Sequence, residues 1–245
     1  MPSLFYIRLI SFTAGTLVYL FLLALILGHR RPRFLERLLF CLMLSLFLIY
    51  AGGLLEINAR MQYGSPPSLT IVFAQSLVVL GSLFLLPLVW HTFFKYHEQV
   101  RQGRVSRMTL PIIWIFYLIP LLLMNGMILF GYEPHAPLTL AEVVKFLAVD
   151  APGELALCAA SAALLGFAAA RSAANVTERQ LFRWIFLSSS FLATILAIQN
   201  SPWKLAHLNS DALQTAAVFG GVFPGAVLLY YAVRRNFWST GRSGI

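Results

Sequence analysis

The chain is 245 residues long, 59% hydrophobic and only 11% charged, whereas a soluble domain carries about 25% charged residues. A water-soluble globule of this length is excluded, because its surface would need polar cover that a protein solvated by lipid does not. The net charge of +9 does not signal a nucleic-acid partner, since the basic residues lie dispersed between apolar runs rather than gathered on one solvated face.

The first apolar run, 9–28, is preceded by Arg8 alone and followed by His29, Arg30, Arg31 and Arg33. A cleaved signal peptide has the reverse charge order, so this run is predicted to stay as a first span. Crossing a ~30 Å hydrocarbon core takes ~20 apolar residues. On that measure further spans are predicted at 38–55, 69–94, 109–132, 151–170, 184–203 and 212–233. Residues 1–236 then form one all-α, polytopic seven-transmembrane-helix bundle, and 237–245 a cytoplasmic tail.

Pro87, Pro111, Pro120 and Pro224 fall within or near spans, where proline kinks a helix or frees a carbonyl. Thr139-Leu140-Ala141-Glu142 has capping-box spacing and predicts a short interfacial helix up to Val149. Asp150-Ala151-Pro152 then reads as a second start, with Asp150 as N-cap and Pro152 in the first turn. In the fifth span Gly153, Ala156, Ala160, Ala163, Gly166 and Ala170 recur at three- and four-residue spacing. That stripe admits a neighbouring backbone and predicts a helix inside the bundle. Cys41 and Cys158 both sit in apolar stretches and read as packing residues.

The connecting segments alternate in charge. One set carries 14 of the 18 basic residues, among them Arg30, Arg31, Lys95, Arg101, Arg171, Arg183, Arg234 and Arg235, leaving Arg8, Arg60, Lys145 and Lys204 on the other side. Basic loops stay in the cytoplasm, which puts the N-terminus outside, the C-terminus inside and the chain in the cell inner (plasma) membrane as a multi-pass protein. Taken singly, these arginines also serve to set topology and to touch anionic membrane lipids.

Polar groups at membrane depth are costly and mark candidate sites. Gln75 and Asn125 lie about two turns into the third and fourth spans from their outer ends. Glu154, Gln199 and Asn200 also lie near outer ends, and Glu56 closes the second span. Together they outline a pocket for a small-molecule ligand or lipid opening outward, with Glu154 as its charged anchor. The alternative is that the amides bond across helices as structural glue while Glu56 and Glu154 are wetted at the interface.

Catalytic readings find little to rest on, and no enzyme activity, cofactor or metal is expected. The last span has no lysine for a retinal Schiff base, and neither HExxH nor GxSxG occurs, so zinc hydrolysis and a strained serine nucleophile lack their motifs. His29 and His91, both near cytoplasmic helix ends, leave a haem-binding electron carrier as a minor alternative. Histidines at helix ends more commonly sit in the interface as polar tips.

Several stretches resemble the N-terminal seven-helix sensor regions of bacterial histidine kinases and related signalling proteins. They are Leu17-Val18-Tyr19-Leu20 through His29-Arg30-Arg31, Glu36-Arg37-Leu38-Leu39, Tyr50-Ala51-Gly52, Glu178-Arg179-Gln180-Leu181-Phe182-Arg183-Trp184, and Pro224-Gly225 through Val233-Arg234. The likeness covers most of the chain and implies a receptor in a two-component type of signal transduction. In that family the segment like Tyr231 to Phe237 leads to cytoplasmic output modules. Only twelve residues, Arg234 to Ile245, follow the last span, so the resemblance implies either a piece of a receptor or a stand-alone relative acting on a cytoplasmic signalling protein. Arg183, Trp184, Arg234 and Arg235 are the expected output residues. The rival class is an accessory subunit of a larger membrane complex, docked to other membrane subunits through its small-residue fifth helix.

Overall fold

The computed structural model describes residues 2–28, 34–63, 67–101, 111, 113–115, 117–118, 140–173, 175–200 and 210–234. Its long helices are α1 (Pro2–Leu27), α2 (Phe34–Gln62), α3 (Ser68–Leu83), α4 (Leu85–Arg101), α5 (Leu140–Ser172), α6 (Val176–Asn200) and α7 (Ser210–Arg234). No strand occurs among the described residues. Six segments are long and apolar enough to cross a membrane: Ser3–Leu27, Phe34–Gln62, Ser68–Glu98, Pro152–Ser172, Val176–Asn200 and Ser210–Val233. The protein is therefore an all-helical, multi-pass membrane protein. Most of the span predicted at 109–132 lies outside the described residues, as does the 237–245 tail.

The side chains give the same answer independently. Ile10, Phe21, Leu80, Leu164, Leu187 and Phe219, from five different helices, all point outward and are more than half exposed, with Leu164 at 69%. Water would penalise so continuous an apolar exterior, but lipid does not. Hydroxyls on the spans bond within their own helices, as Ser11 to the Ile7 carbonyl, Ser76 to Val72 and Thr194 to Ser190. In hydrocarbon no water is at hand to do so.

The helices form a closed ring. α1 packs on α2, α2 on α3, α3 on α5, α5 on α6, α6 on α7, and α7 returns to α1. α4 continues α3 and fills the gap between α2 and α5. The third span is thus two helices: the chain turns at Phe84 before α4 begins, because Pro87 has no N–H to offer the Leu83 carbonyl. This is the opening predicted from Pro87.

The fifth span behaves differently from the sequence reading. Instead of an interfacial helix and a fresh start at Asp150, α5 runs unbroken from Leu140 to Ser172 with Pro152 inside it. One proline removes a single bond, here to the Ala148 carbonyl, and helix-forming sequence on both sides carries the helix across that gap. The expected small-residue packing is present over part of the stripe. Ala159, Ala163, Ala169 and Ala170 are buried, and a Cβ on Gly166 would lie 3.2 Å from the Phe186 nitrogen and 3.4 Å from the Phe182 carbonyl of α6. Gly153, by contrast, has open space around it, and Ala160 faces outward.

Candidate functional site

The ring surrounds a half-open cavity of about 580 Å³ walled by all seven long helices, a volume in the range of small-molecule sites. Its lining is mostly aliphatic and aromatic, with polar side chains at both ends. One end gathers Glu56 near the C-terminal end of α2, Gln75 near the start of α3, Gln199 at the end of α6, and Gln214 at the start of α7. The other holds Thr92 and Tyr96 of α4 with Phe182 of α6.

At the first end the charges are already matched. Glu56 Oε1 accepts from Arg60 at 2.7 Å, one turn along α2. Arg8 of α1 donates to the Asp211 backbone carbonyl at 3.2 Å, approaches its carboxylate at 3.5 Å, and reaches the Thr215 hydroxyl at 3.4 Å. Arg8 thereby ties the N-terminal ends of α1 and α7 together beside the mouth. The amides are less settled. Gln199 Oε1 is fully buried and has no hydrogen-bond partner among the described residues, a state it shares with Thr92 Oγ1 at the opposite end.

Midway, the wall is made by an aromatic cluster. Tyr19 donates to the Gly221 carbonyl and Tyr50 to the Val218 carbonyl, each at 2.8 Å. Their rings lie 5.4 Å apart, with Phe12 5.9 Å from Tyr50. Both hydroxyls thus land on one turn of α7, just before Pro224, which leaves the Gly220 carbonyl without its usual helical donor. Glycine is required here by proximity: a Cβ on Gly225 would come 2.7 Å from the Tyr19 ring.

At the far end Tyr96 reaches Glu178 of α6 at 3.3 Å, and its ring lies 4.8 Å from that of Phe182. His91 Nδ1 stands 3.2 Å from the Tyr117 hydroxyl, while His29 lies outside the described residues. Among the described residues no cluster of three or more His, Cys, Asp or Glu could hold a metal ion.

Of the residues predicted to bind a ligand, Glu56, Gln75 and Gln199 come together on the cavity wall. Glu154 is half-buried on α5 but is not part of that wall, and Asn200 is exposed with its amide donating to the Leu196 carbonyl at 2.9 Å. Asn125 lies outside the described residues. Of the output residues, Arg183 and Trp184 both face outward, Trp184 at 55% exposure. Arg234 closes α7 and Arg235 lies outside the described residues.

Sequence reading missed Gln214 and the two tyrosines. Gln214 was visible as an amide one turn into the last span. Tyr19 and Tyr50 carried no such signal, since a tyrosine in an apolar run reads as an aromatic filler until its hydroxyl's partner is known. Comparison of the chain with protein-family models and with curated proteins yields no match.

Proposed function

We propose that the protein is a membrane-embedded, non-catalytic sensor that takes a small molecule or lipid into the central cavity and signals through α6 and α7 to a cytoplasmic partner. The observation that carries this reading is the shared wall. Tyr19 and Tyr50 line the cavity and also hold α7 at the turn before Pro224. An occupant that displaces either ring changes what holds a proline-weakened helix, and so shifts the population of its bent forms. The likeness to seven-helix sensor regions of histidine kinases points the same way.

The full topology belongs to this proposal: seven spans, the N-terminus outside, the C-terminus in the cytoplasm of a bacterial inner membrane. Tyr96 and Glu178 bring the C-terminal end of α4 beside the N-terminal end of α6, to which α5 leads directly. The start of α5 is at the opposite end, and the proposed fourth span, 109–132, accounts for that change of side. Lys95, Arg171, Arg179 and Arg183 share the first of these ends, the one basic loops select as cytoplasmic.

The test is a pair of spin labels at Arg183 and Asn236 in the full chain, with Cys41 and Cys158 replaced, read as a distance distribution in nanodiscs. Any occupant that raises the thermal stability of the protein should also move that distribution. Stabilisation by several occupants with an unmoved distribution would mean a binding protein without this output.

A further inference from the structure

We infer that the cavity takes a single-chain amphiphile with an uncharged hydrogen-bonding head, its head at Gln199 and its hydrocarbon chain running between Tyr19 and Tyr50 on one side and α5 and α6 on the other. This rests on the proposed sensor reading and names the chemistry of its ligand. Three features of the cavity select that class: length, charge and an unmet acceptor.

The cavity is long. Its wall on α6 extends from Leu181 to Gln199 and on α7 from Gln214 to Ala232, each about 27 Å at 1.5 Å per residue. A volume of about 580 Å³ drawn out over that length is a slot rather than a rounded chamber. An extended hydrocarbon chain matches that shape along its whole length. The length also approaches that of a ~30 Å hydrocarbon core, so the cavity runs through most of the apolar depth of the bilayer.

The head is uncharged because no free charge waits for it. Glu56 is the one ionisable acid or base on the described wall, apart from a buried thiol and tyrosine hydroxyls, and its carboxylate is already held by Arg60. A carboxylate or phosphate would enter uncompensated among amides, and burying such a group costs far more than burying a hydroxyl.

The acceptor is Gln199 Oε1. Two buried polar atoms lack partners among the described residues, and they differ in what they can do alone. The Thr92 hydroxyl can rotate and donate to the carbonyl one turn earlier in α4, a bond open to any helical threonine. An amide oxygen cannot, because within a helix the available backbone groups near it are carbonyls, which accept as it does. Gln199 therefore needs a donor from outside its helix. A hydroxyl or amide on an amphiphile supplies one, and still serves if the glutamine side chain turns its NH₂ inward instead.

The experiment uses the full chain in nanodiscs and a 1-monoacylglycerol carrying a diazirine at the end of its chain, photolysed and mapped by mass spectrometry. Adducts are expected on Thr92, Tyr96 or Phe182, more than 20 Å from Gln199 along the helices. Unlabelled monoacylglycerol should compete about tenfold better than the ionised fatty acid of the same chain or a two-chain phospholipid. Gln199→Leu should weaken the cavity adducts about three- to tenfold, one hydrogen bond's worth, while leaving adducts on the lipid-facing Leu157 and Leu164 unchanged. Ala162→Phe, which narrows the cavity midway, should abolish only the far-end adducts. Should Gln199→Leu fold poorly, Gln199→Asn, which shortens the reach of the same amide, replaces it.

Adducts confined to Leu157, Leu164 and their neighbours would overturn the site. Equal competition by fatty acid or phospholipid would overturn the ligand class while leaving the sensor reading intact. Cavity adducts with no movement between the Arg183 and Asn236 labels would uphold the class and remove the sensor reading.

Discussion

The two walls of the cavity are built on different physical plans. On the α1, α2, α3 and α7 side, large rings drop into notches left by glycine: Phe12 lies against Gly53, Tyr50 against Gly15 and Gly221, and Tyr19 against Gly225. The α2 and α3 backbones touch there as well, since a Cβ on Gly81 would stand 2.5 Å from the Ser45 carbonyl. On the α5 side of the contact with α6 lie buried alanines and Gly166, whose Cβ would meet the Phe186 nitrogen at 3.2 Å, less tightly than at the glycine notches, and no buried hydrogen bond joins the two helices among those found. Close packing is common to both, but only the first wall fixes the position of each helix by shape and by directed bonds. The contrast teaches that the tyrosine wall is ordered by ring shape and directed bonds, which an occupant reaching the rings disturbs, while the α5 and α6 wall is held by close packing alone.

Gly81→Val is the severest way to break this contrast. The added carbons meet backbone that cannot step aside, so a loss of about 3 kcal/mol is expected, read by thermal denaturation in detergent. Gly220→Ala is its control: its Cβ would sit 3.6 Å from Phe191, so stability should hold or rise. Equal losses in the two would mean the notches are not what orders this wall.

Tyr50→Phe removes one directed bond and keeps the ring, with an expected cost of about 1 kcal/mol; Tyr19→Phe should match it. Both changes should also widen the Arg183 to Asn236 distance distribution, which a purely structural bond elsewhere would leave alone. A smaller effect is expected on the other wall. Gly166→Ala asks its neighbours to yield only a few tenths of an ångström, and should cost less than about 1 kcal/mol. A loss as large as that of Gly81→Val would erase the distinction between the walls.

The smallest effect belongs to Arg60→Ala. The pair with Glu56 is short, but Arg60 is 61% exposed, and an exposed pair contributes about 0.5 kcal/mol or less. Its use lies in binding: freeing the Glu56 carboxylate should weaken competition by an ionised fatty acid further. Improved competition would argue against an uncharged head.

Much of this was legible in the residues. Apolar length gives the membrane helices, because hydrocarbon leaves the backbone no partner but itself. Pro87 announced the break near Phe84, and Gln75, Gln199 and Glu56 announced a polar end. Pro152 misled, since the same residue starts one helix and is tolerated inside another, and only the flanking helical bonds decide which. Glu154 and Asn200 were set apart from Gln199 by helix rotation, which the 3.6-residue period alone does not phase against a neighbour.

The sequence by itself determined that lipid is the solvent of this chain, roughly where six of its membrane-spanning helices lie and which of their ends carry polar groups, since these follow from each segment's own hydrogen bonding and transfer cost. The ring closure, the cavity, and the pairing of Tyr19 and Tyr50 with carbonyls some 200 and 170 residues away were decided only by tertiary structure. They depend on which face each helix turns to the next, and in lipid that choice is made by shape and directed bonds, because burial alone does not distinguish one apolar face from another.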